Sequence, residues 1–340
     1  MQVTWAGSPD RVEARLVPEA GYPFDAFRIS GFPRRAGLPL VRALGRAAVA
    51  PLACRRILVA RRPDVVLGGG GYVAGPMVLA AALRGIPAAL TEADAHLGLA
   101  NRLALPFARR LFLPLPIEGV GGAKVRVTGR PIPARSRPLE PAAGRELFGL
   151  PATGPVLLVF GGSLGARALN ELVVTEFGGT GRGAGDDATA GDGAAGAASV
   201  PAVLHLCGER DYAALAPRVG RESYRLVAFT DDFGAALAAS DLVLARAGGS
   251  VWEVAAAGKP AILVPYPAAT ADHQTKNARH FVAGGGAVLV PEPELARVPA
   301  LVRELLADPA RLAAMRRGML ALARPDAAAE IAEELIALAR

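Results

Sequence analysis

Short apolar runs with the length of β-strands alternate with longer helix-like segments along almost the whole chain. The strand-like runs of the first half are QVTWAG, DVVLGGG, AALTEA, RLFLP and KVRVTG. Those of the second half are PVLLVFGG, AVLHLCG, YRLVAF, LVLARAG, PAILVPY and AVLVP. This alternation predicts an α/β fold with parallel sheets, in which ligands bind beyond the carboxyl ends of the strands.

Proline is dense between the two series of strands, which predicts a linker because proline suits neither helix interiors nor central strands. The chain has 340 residues, enough for two cores. We expect two doubly wound, Rossmann-like domains that face a central cleft, 1–135 and 136–325. The last segment, 326–340, is expected to form a helix over Ala327–Arg340 with Asp326 as its N-cap. We expect this helix to pack back on the first domain. Residues 178–199 contain no large apolar side chain and are predicted to form a mobile loop.

The net charge of +7 is concentrated at the front of the chain. Residues 1–135 hold 19 Lys/Arg against 8 Asp/Glu, a net charge of +11. Aromatic residues are not interleaved with these cations, which favours an anionic membrane surface over nucleic acid as the partner. Cys54 and Cys207 stand far apart, so we expect neither a disulfide framework nor a zinc site. The sequence suggests no signal peptide, and its apolar stretches are shorter than the roughly 20 residues of a spanning helix.

Two glycine-rich turns in the second half each lead from a strand into a helix. The first is Gly161–Gly165, with Ser163 at its centre, and the second is Gly248-Gly249-Ser250, followed by Glu253. Glycines allow close backbone approach and helix starts attract phosphate, while a carboxylate can accept hydrogen bonds from vicinal ribose hydroxyls. Alternatively, the turns bind nothing and Glu253 only complements the helix dipole. The glycine spacing, and the lack of an acidic residue at the end of a strand about 20 residues later, exclude the dinucleotide-binding fingerprint. The lack of a Lys-Ser/Thr pair after the glycines excludes a P-loop.

Other polar clusters also follow strands. Asp272–Asn277 could hold sugar hydroxyls, and Phe229–Asp232 could line a base pocket or simply cap a helix. Gly68–Pro76 is predicted to form the floor of a cleft. The loop Thr91–His96 carries candidate acid/base groups, with Asn101 on the helix after it; a solvated loop is the alternative. The candidate groups are Glu92, Asp94 and His96.

These motifs together resemble the bacterial peptidoglycan N-acetylglucosaminyltransferase (MurG) family over nearly the whole chain. The resemblance rests on GGYVAGP, VTGRPIP, LLVFGGSLGARALN, FTDDF and RAGGSVWEVAAAGKPAILVPYPAATADHQTKNA. It implies a two-domain GT-B fold. It also implies inverting transfer of N-acetylglucosamine (GlcNAc) from UDP-GlcNAc to the undecaprenyl-linked muramyl pentapeptide, lipid I, in peptidoglycan synthesis. The expected location is the cytoplasmic face of the cell membrane, bound peripherally.

The resemblance also implies roles for single residues. Ser163 matches a serine that lies beside the diphosphate. Thr230 matches a residue whose backbone contacts uracil, and Glu253 matches the carboxylate that binds the ribose. Gln274 matches one of two paired glutamines that hold the sugar, and His273 replaces the other. Asp94 replaces a frequent asparagine, and Pro133 replaces an arginine whose contact is lost or passes to Arg130 or Arg135. The stretch contacting nucleotide and phosphate corresponds to Gly248, Gly249, Ser250, Val251 and Trp252. No DxD motif is placed to hold a metal. The sequence therefore requires no cofactor, and a divalent metal stays an open alternative with no identified site.

The front of the chain departs from the family pattern. The family begins with a strand and a glycine-rich loop ending in histidine, whereas this sequence is expected to start at the second strand. That loop would carry the family's base, so Glu92, Asp94 and His96 are weaker substitutes. Two rival functions follow: a related GT-B transferase with another acceptor, and a UDP-sugar-binding protein without turnover.

Two basic amphipathic segments give the membrane hypothesis a physical basis. Residues 38–62 and 99–113 combine apolar residues with clustered arginines, a composition suited to peripheral binding of anionic lipid. Ordinary packing of these helices against a sheet is the alternative. The arginines are Arg42, Arg46, Arg55, Arg56, Arg102, Arg109 and Arg110.

Overall fold

Two α/β units divide the chain: the first comprises Met1–Arg130 and Asp326–Arg340, and the second Pro131–Pro325. The computed structural model describes residues 2–29, 38–137, 139–162, 165–179 and 200–340, and for residues 38–44 and 46–48 only the backbone. Ser163, the side chains of Arg42 and Arg46, and residues 180–199 of the expected loop lie outside what is described.

The described strands of the first unit form two parallel sheets. β1 pairs with β2, and a separate four-stranded sheet has the order β3-β4-β5-β6. The strands are β1 (Trp5–Gly7), β2 (Phe24–Ala26), β3 (Val66–Gly68), β4 (Ala88–Thr91), β5 (Arg110–Leu113) and β6 (Val125–Val127). The helices are α1 (Glu13–Glu19), α2 (Leu38–Arg61), α3 (Gly71–Ala82) and α4 (Leu99–Ala104), the last continued by a 3-10 turn at Leu105–Phe107.

The second unit contains a six-stranded parallel sheet with the order β12-β11-β10-β7-β8-β9. Its strands are β7 (Val156–Phe160), β8 (Ala202–Leu206), β9 (Tyr224–Val227), β10 (Leu242–Ala245), β11 (Ala261–Leu263) and β12 (Ala287–Leu289). Its helices are α5 (Pro141–Leu147), α6 (Arg167–Phe177), α7 (Glu209–Leu215), α8 (Phe233–Ala239), α9 (Val251–Ala256), α10 (His273–Ala283), α11 (Val298–Leu306) and α12 (Pro309–Leu322).

The strand order of the second unit places its two glycine turns side by side. β7 and β10 are neighbours, and the chain leaves them in opposite directions across the sheet, toward β8 on one side and β11 on the other. In open parallel sheets the crevice for ligands opens at this reversal of strand order. β7 and β10 are buried along their whole length, because helices cover both faces of the sheet.

The last helix, α13 (Ala327–Ala339), belongs to the first unit. Ile331 packs with Ala89 of β4 and Phe112 of β5, and Arg110 forms an ion pair with Glu334 at 2.9 Å. Asp326 precedes the helix as predicted, but its side chain makes no capping hydrogen bond. In the described ranges, no helix is both long and apolar enough to cross a bilayer.

Candidate functional site

A cavity of about 200 Å³ opens at the carboxyl ends of the strands in the second unit. Phe160 ends β7 and packs edge-to-face against Phe233, with 5.1 Å between ring centroids. Leu206 ends β8 beside them. The remaining lining residues are Pro133, Arg135, Ser136, Gly162, Ala228, Phe229, Thr230, Asp231, Ser250 and Glu253. Candidate residues that lie far apart in the sequence therefore share one cavity.

The first glycine turn is held tightly against the neighbouring β8–α7 connection. Gly165 has a φ of +73°, and a Cβ at this position would collide with the carbonyl oxygen of Cys207. Its amide donates to the carbonyl of Gly162 at 2.9 Å, and Asn170 on α6 donates to that same Cys207 oxygen at 2.8 Å. Only glycine fits this position, so Gly165 lets the chain approach the β8–α7 connection closely, while Gly162 lines the cavity.

A buried network of hydrogen bonds fixes Asn170, on the helix that follows this turn. The His205 ring lies between the Tyr224 hydroxyl, 2.7 Å from Nδ1, and Asn170 Oδ1, 3.0 Å from Nε2. Asn170 Nδ2 also donates to Asp211 at 3.0 Å. Burial lowers the pKa of His205 to about 3, so the ring is neutral at physiological pH. The network ties β8, β9 and α7 to the helix that follows the glycine turn.

The second glycine turn presents Ser250 and Glu253 to the cavity. Glu253 lies in the first turn of α9, as predicted, and its carboxylate accepts a hydrogen bond from the Ser136 hydroxyl. Val251 and Trp252 are instead buried, with Trp252 packed edge-to-face against Phe281 at 5.2 Å between ring centroids. Their side chains therefore do not line the cavity, which leaves only their backbone for the nucleotide contact that the resemblance implies.

Arg246 fixes the region behind the second turn, and sequence reasoning missed it. Its guanidinium donates to the carbonyl of Pro265 at 3.1 Å, forms an ion pair with Glu292 and lies 5.6 Å from the centre of the Tyr266 ring. The residue is 7% exposed, so these contacts hold it in one position. The only sequence signal was its place just before the glycines.

His273 and Gln274 begin α10 next to the same turn. The Gln274 carbonyl oxygen accepts from the Tyr266 amide at 2.8 Å, which leaves its amide group available as a donor near Gly248. His273 Nδ1 lies 2.8 Å from the Thr270 carbonyl, which can only accept. Nδ1 therefore carries the hydrogen, and Nε2 of the neutral ring is an acceptor.

Thr230 lies at the rim of the cavity and stabilises its own turn, because its hydroxyl oxygen accepts from the Asp232 amide at 3.0 Å. Phe229 beside it is 53% exposed, a large apolar surface at a cavity mouth. Arg135 reaches Asp231 at 3.6 Å across the same rim. An exposed aromatic ring next to backbone groups is suited to a planar base.

In the first unit, the Thr91–His96 loop is organised around Glu92. One carboxylate oxygen accepts from the Ala93 amide at 2.9 Å, and the other accepts from the Gly98 amide at 3.0 Å and Asn101 Nδ2 at 2.9 Å. Both oxygens are thus occupied by hydrogen bonds from the loop itself and from α4. This geometry favours a loop-organising role for Glu92 over that of a base.

Asn101 and Arg130 also hold this loop. Asn101 is 2% exposed and donates to the Thr91 carbonyl at 3.1 Å, while its Oδ1 atom finds no hydrogen-bond partner among the described residues. Arg130 donates to the Ala93 carbonyl at 2.8 Å. Asp94 and His96 are half-buried in the same loop. The structure therefore brings the five predicted residues of this unit together.

An apolar groove of about 340 Å³ lies between α3 and α4 of the first unit. Leu99, Leu103 and Phe107 line it and are 64%, 63% and 46% exposed. Arg102 and Arg109, from the same segment, are exposed as well. α2 shows a mixed pattern: Cys54 and Leu58 are buried in the core, while Leu52 is 61% exposed. Ordinary packing accounts for the buried face of α2 but not for the exposed leucines of α4.

Two family profiles match most of the chain. The profile of the glycosyltransferase family 28 N-terminal domain matches residues 1–113, and that of the C-terminal domain matches residues 156–331. The chain belongs to glycosyltransferase family 28. The second match contains the two glycine turns, and the first contains the Thr91–His96 loop.

Relatives of this family 28 chain carry the name UDP-N-acetylglucosamine–N-acetylmuramyl-(pentapeptide) pyrophosphoryl-undecaprenol N-acetylglucosamine transferase. The Salinibacter ruber relative is 38% identical over 343 residues, which cover 99% of this chain and 89% of the relative. The Nitratidesulfovibrio vulgaris relative is 41% identical over 339 residues, covering 96% and 86%.

Solved structures give the same result for the fold. MurG of Acinetobacter baumannii matches with a TM-score of 0.74 and 26% identity, over 98% of this chain and 90% of that one. The complex of Staphylococcus aureus MnaA with UDP has a TM-score of 0.62 at 15% identity, over 98% and 95%, a likeness of fold alone. The predicted family, the GT-B fold class and the assignment as a glycosyltransferase are confirmed.

Proposed function

We propose that this chain transfers GlcNAc from UDP-GlcNAc to lipid I, with inversion at the anomeric carbon, and so forms lipid II for peptidoglycan synthesis. The observation that carries the proposal is the 38% identity, across 99% of the chain, to a relative named for this transfer. A role in cell-wall synthesis, and through it in cell shape and division, follows from the same reaction.

The second unit is the proposed binding unit for the donor. Phe229 and Thr230 would contact the uracil, and the Glu253 carboxylate would accept hydrogen bonds from the ribose hydroxyls. The diphosphate would lie against the two glycine turns after β7 and β10, where its charge meets backbone amides. His273 and Gln274 would hold the sugar through an acceptor nitrogen and a donor amide.

The first unit is the proposed binding unit for the acceptor. Among the described residues, the Asn101 Oδ1 atom has no hydrogen-bond partner, so it could accept a hydrogen bond from the bound substrate. The loop of Asp94 and His96 lies beside it. A hydroxyl of the acceptor sugar attacks the anomeric carbon as the bond to UDP breaks, and UDP leaves with the electron pair. The hydroxyl proton needs a base, and we assign this role to Asp94 or His96, which lie half-buried in this loop.

A transfer assay with radiolabelled UDP-GlcNAc and a lipid I analogue tests the proposal. Glu253→Gln should lower kcat/KM about 10- to 100-fold, since hydrogen bonds to a charged group contribute about 1.5–3 kcal/mol. Glu294→Gln, at an exposed site paired only with Arg297 among the described residues, is the matched control and should retain wild-type activity.

Other outcomes separate the rival functions. Transfer to a different glycolipid but not to lipid I would refute the acceptor assignment. Binding of UDP-GlcNAc without transfer to any acceptor would identify a sugar-nucleotide-binding protein. Loss of activity in Asp94→Asn or His96→Gln with UDP-GlcNAc binding intact would identify the base.

We also propose that the apolar groove of the first unit contacts the anionic inner-membrane surface. Leu99, Leu103 and Phe107 would enter the lipid boundary while Arg102 and Arg109 meet headgroups. Co-sedimentation should show binding to vesicles with anionic lipid and little binding to neutral ones. Leu103→Asp should weaken this binding severalfold, and Leu147→Asp, at a 55% exposed leucine of the second unit, should leave it unchanged. Equal loss in both variants would refute the assignment.

A further inference from the structure

Ser136 lies beneath the rim of the nucleotide cavity, in a stretch that sequence reasoning treated only as linker. It ends a 3-10 turn at Ala134–Ser136 and is 2% exposed. Its hydroxyl donates a hydrogen bond to Oε1 of Glu253, which is 117 residues later in the chain. A buried hydroxyl therefore holds the carboxylate that faces the cavity.

The backbone around Ser136 is fixed by direct packing on α8. A Cβ at Gly234 would collide with the Arg137 carbonyl oxygen and lie 2.8 Å from that of Arg135, so this close approach requires glycine. The Ser136 amide donates to the Pro133 carbonyl at 3.0 Å, which closes the turn. The serine is thus positioned by backbone and not by flexible side chains.

The hydrogen bond has a consequence for ligand geometry. A carboxylate offers about four acceptor positions on its two oxygens, and Ser136 occupies one of them. The bond selects one orientation of a side chain that otherwise rotates about three torsions, and it leaves acceptor positions for a diol in the cavity. Pre-orientation of this kind raises affinity because the ligand need not order the side chain on binding.

We propose that Ser136 is the positioning residue for Glu253 and thereby sets how strongly the protein selects a ribonucleotide with both ribose hydroxyls. This inference rests on the proposed nucleotide site. Ser136 itself need not touch the nucleotide. Its effect passes through the carboxylate, so removal of the serine hydroxyl should matter only for ligands whose ribose hydroxyls Glu253 can bind.

Calorimetric titration with UDP and with 2′,3′-dideoxyuridine diphosphate tests the inference on the full chain. Ser136→Ala should weaken UDP binding about five- to tenfold, the effect of losing roughly one hydrogen bond, and leave dideoxy-UDP binding unchanged. Ser136→Thr keeps the hydroxyl and should retain most of the UDP affinity. Ser240→Ala is the matched control: this serine is 1% exposed, and its hydroxyl donates to the Leu237 carbonyl at the end of its own helix, away from the cavity lining.

The same titrations contain the results that would overturn the inference. Equal weakening for UDP and dideoxy-UDP in Ser136→Ala would show a packing role only, and no change for either would show none. In a Glu253→Gln background, Ser136→Ala should have no further effect on UDP binding; an additive loss contradicts positioning through Glu253. A wild-type chain that binds neither ligand would overturn the proposed nucleotide site itself, a result distinct from the others.

Discussion

Complete burial lowers the pKa of His205 and keeps its ring neutral, and the hydrogen bonds around the ring decide which nitrogen carries the hydrogen. Asn170 uses its amide nitrogen for the Cys207 carbonyl and Asp211, so its oxygen faces His205 Nε2 and accepts from it. Nδ1 is then left to accept from the Tyr224 hydroxyl. A second proton on the ring would sit on Nδ1 and point at the Tyr224 hydroxyl, which would then have to turn its own hydrogen away. Because the ring is fully buried, water cannot solvate the added charge.

The lowered pKa of His205 predicts that the second unit becomes less stable in acid. The folded pKa is lowered to about 3 from an unfolded value near 6.5, so the unfolded chain gains a proton first as pH falls. Its contribution to stability is full above pH 6.5 and is lost progressively between pH 6.5 and 3. From pH 7 to pH 5, we expect the free energy of unfolding to fall by about 2 kcal/mol on its account.

The measurement is urea unfolding at both pH values, followed by Trp252 fluorescence in a Trp5→Phe background, since the chain has two tryptophans. His205→Gln should be less stable at pH 7 but should lose about 2 kcal/mol less on acidification. The same pH dependence in both proteins would assign the acid sensitivity to other groups.

At the scale of helices and strands, α5 and α8 approach each other more closely than side chains normally allow. Gly144 of α5 faces the backbone of α8: a Cβ there would collide with the Ala235 carbonyl and lie 3.1 Å from the Ala239 amide nitrogen. The start of α8 in turn packs on the segment containing Ser136. This contact therefore connects helix packing to the cavity.

Gly144→Ala should destabilise the second unit by about 1–3 kcal/mol, because the added methyl group forces the helices apart. Urea unfolding followed by Trp252 fluorescence measures the change. Ala143→Leu enlarges an exposed neighbour on the same helix and should stay within about 0.5 kcal/mol of wild type. Equal effects from the two substitutions would contradict the packing argument.

Strands such as β7 and β10 were predictable because they are apolar and buried along their whole length. β2 was missed: Phe24-Asp25-Ala26 is three residues long and carries a charge, so only its pairing with β1 makes it a strand. Glu253 and the glycine turns were predictable from local spacing. Ser136 and Arg246 were not, because their importance comes from partners far along the chain.

Across the whole molecule, the first unit is assembled from both ends of the chain. Ile331 of α13 is 5% exposed and packs with Ala89 and Phe112 of the β4–β5 pair. Arg110 and Arg126 both reach Glu334, at 2.9 and 3.7 Å. α13 thus packs against a sheet whose strands precede it in the sequence by some two hundred residues.

Ile331→Asp should loosen the first unit selectively, because it places a charge in an apolar contact. Hydrogen exchange measured by mass spectrometry should show faster exchange in peptides of β4 and β5, with β7 and β10 unchanged. Ile336→Asp, at a position 43% exposed, is the matched control and should leave both units as in wild type. Faster exchange in β7 and β10 as well would show that the two units do not respond separately.

The place of α13 also affects the order of events during synthesis. A ribosome produces residues 131–325, the entire second unit, before the helix that covers the β4–β5 pair emerges. The second unit can therefore complete its fold while Phe112 and its neighbours in the first unit are still uncovered by α13. Although its strands are made first, the amino-terminal unit cannot be completed until α13 has been made.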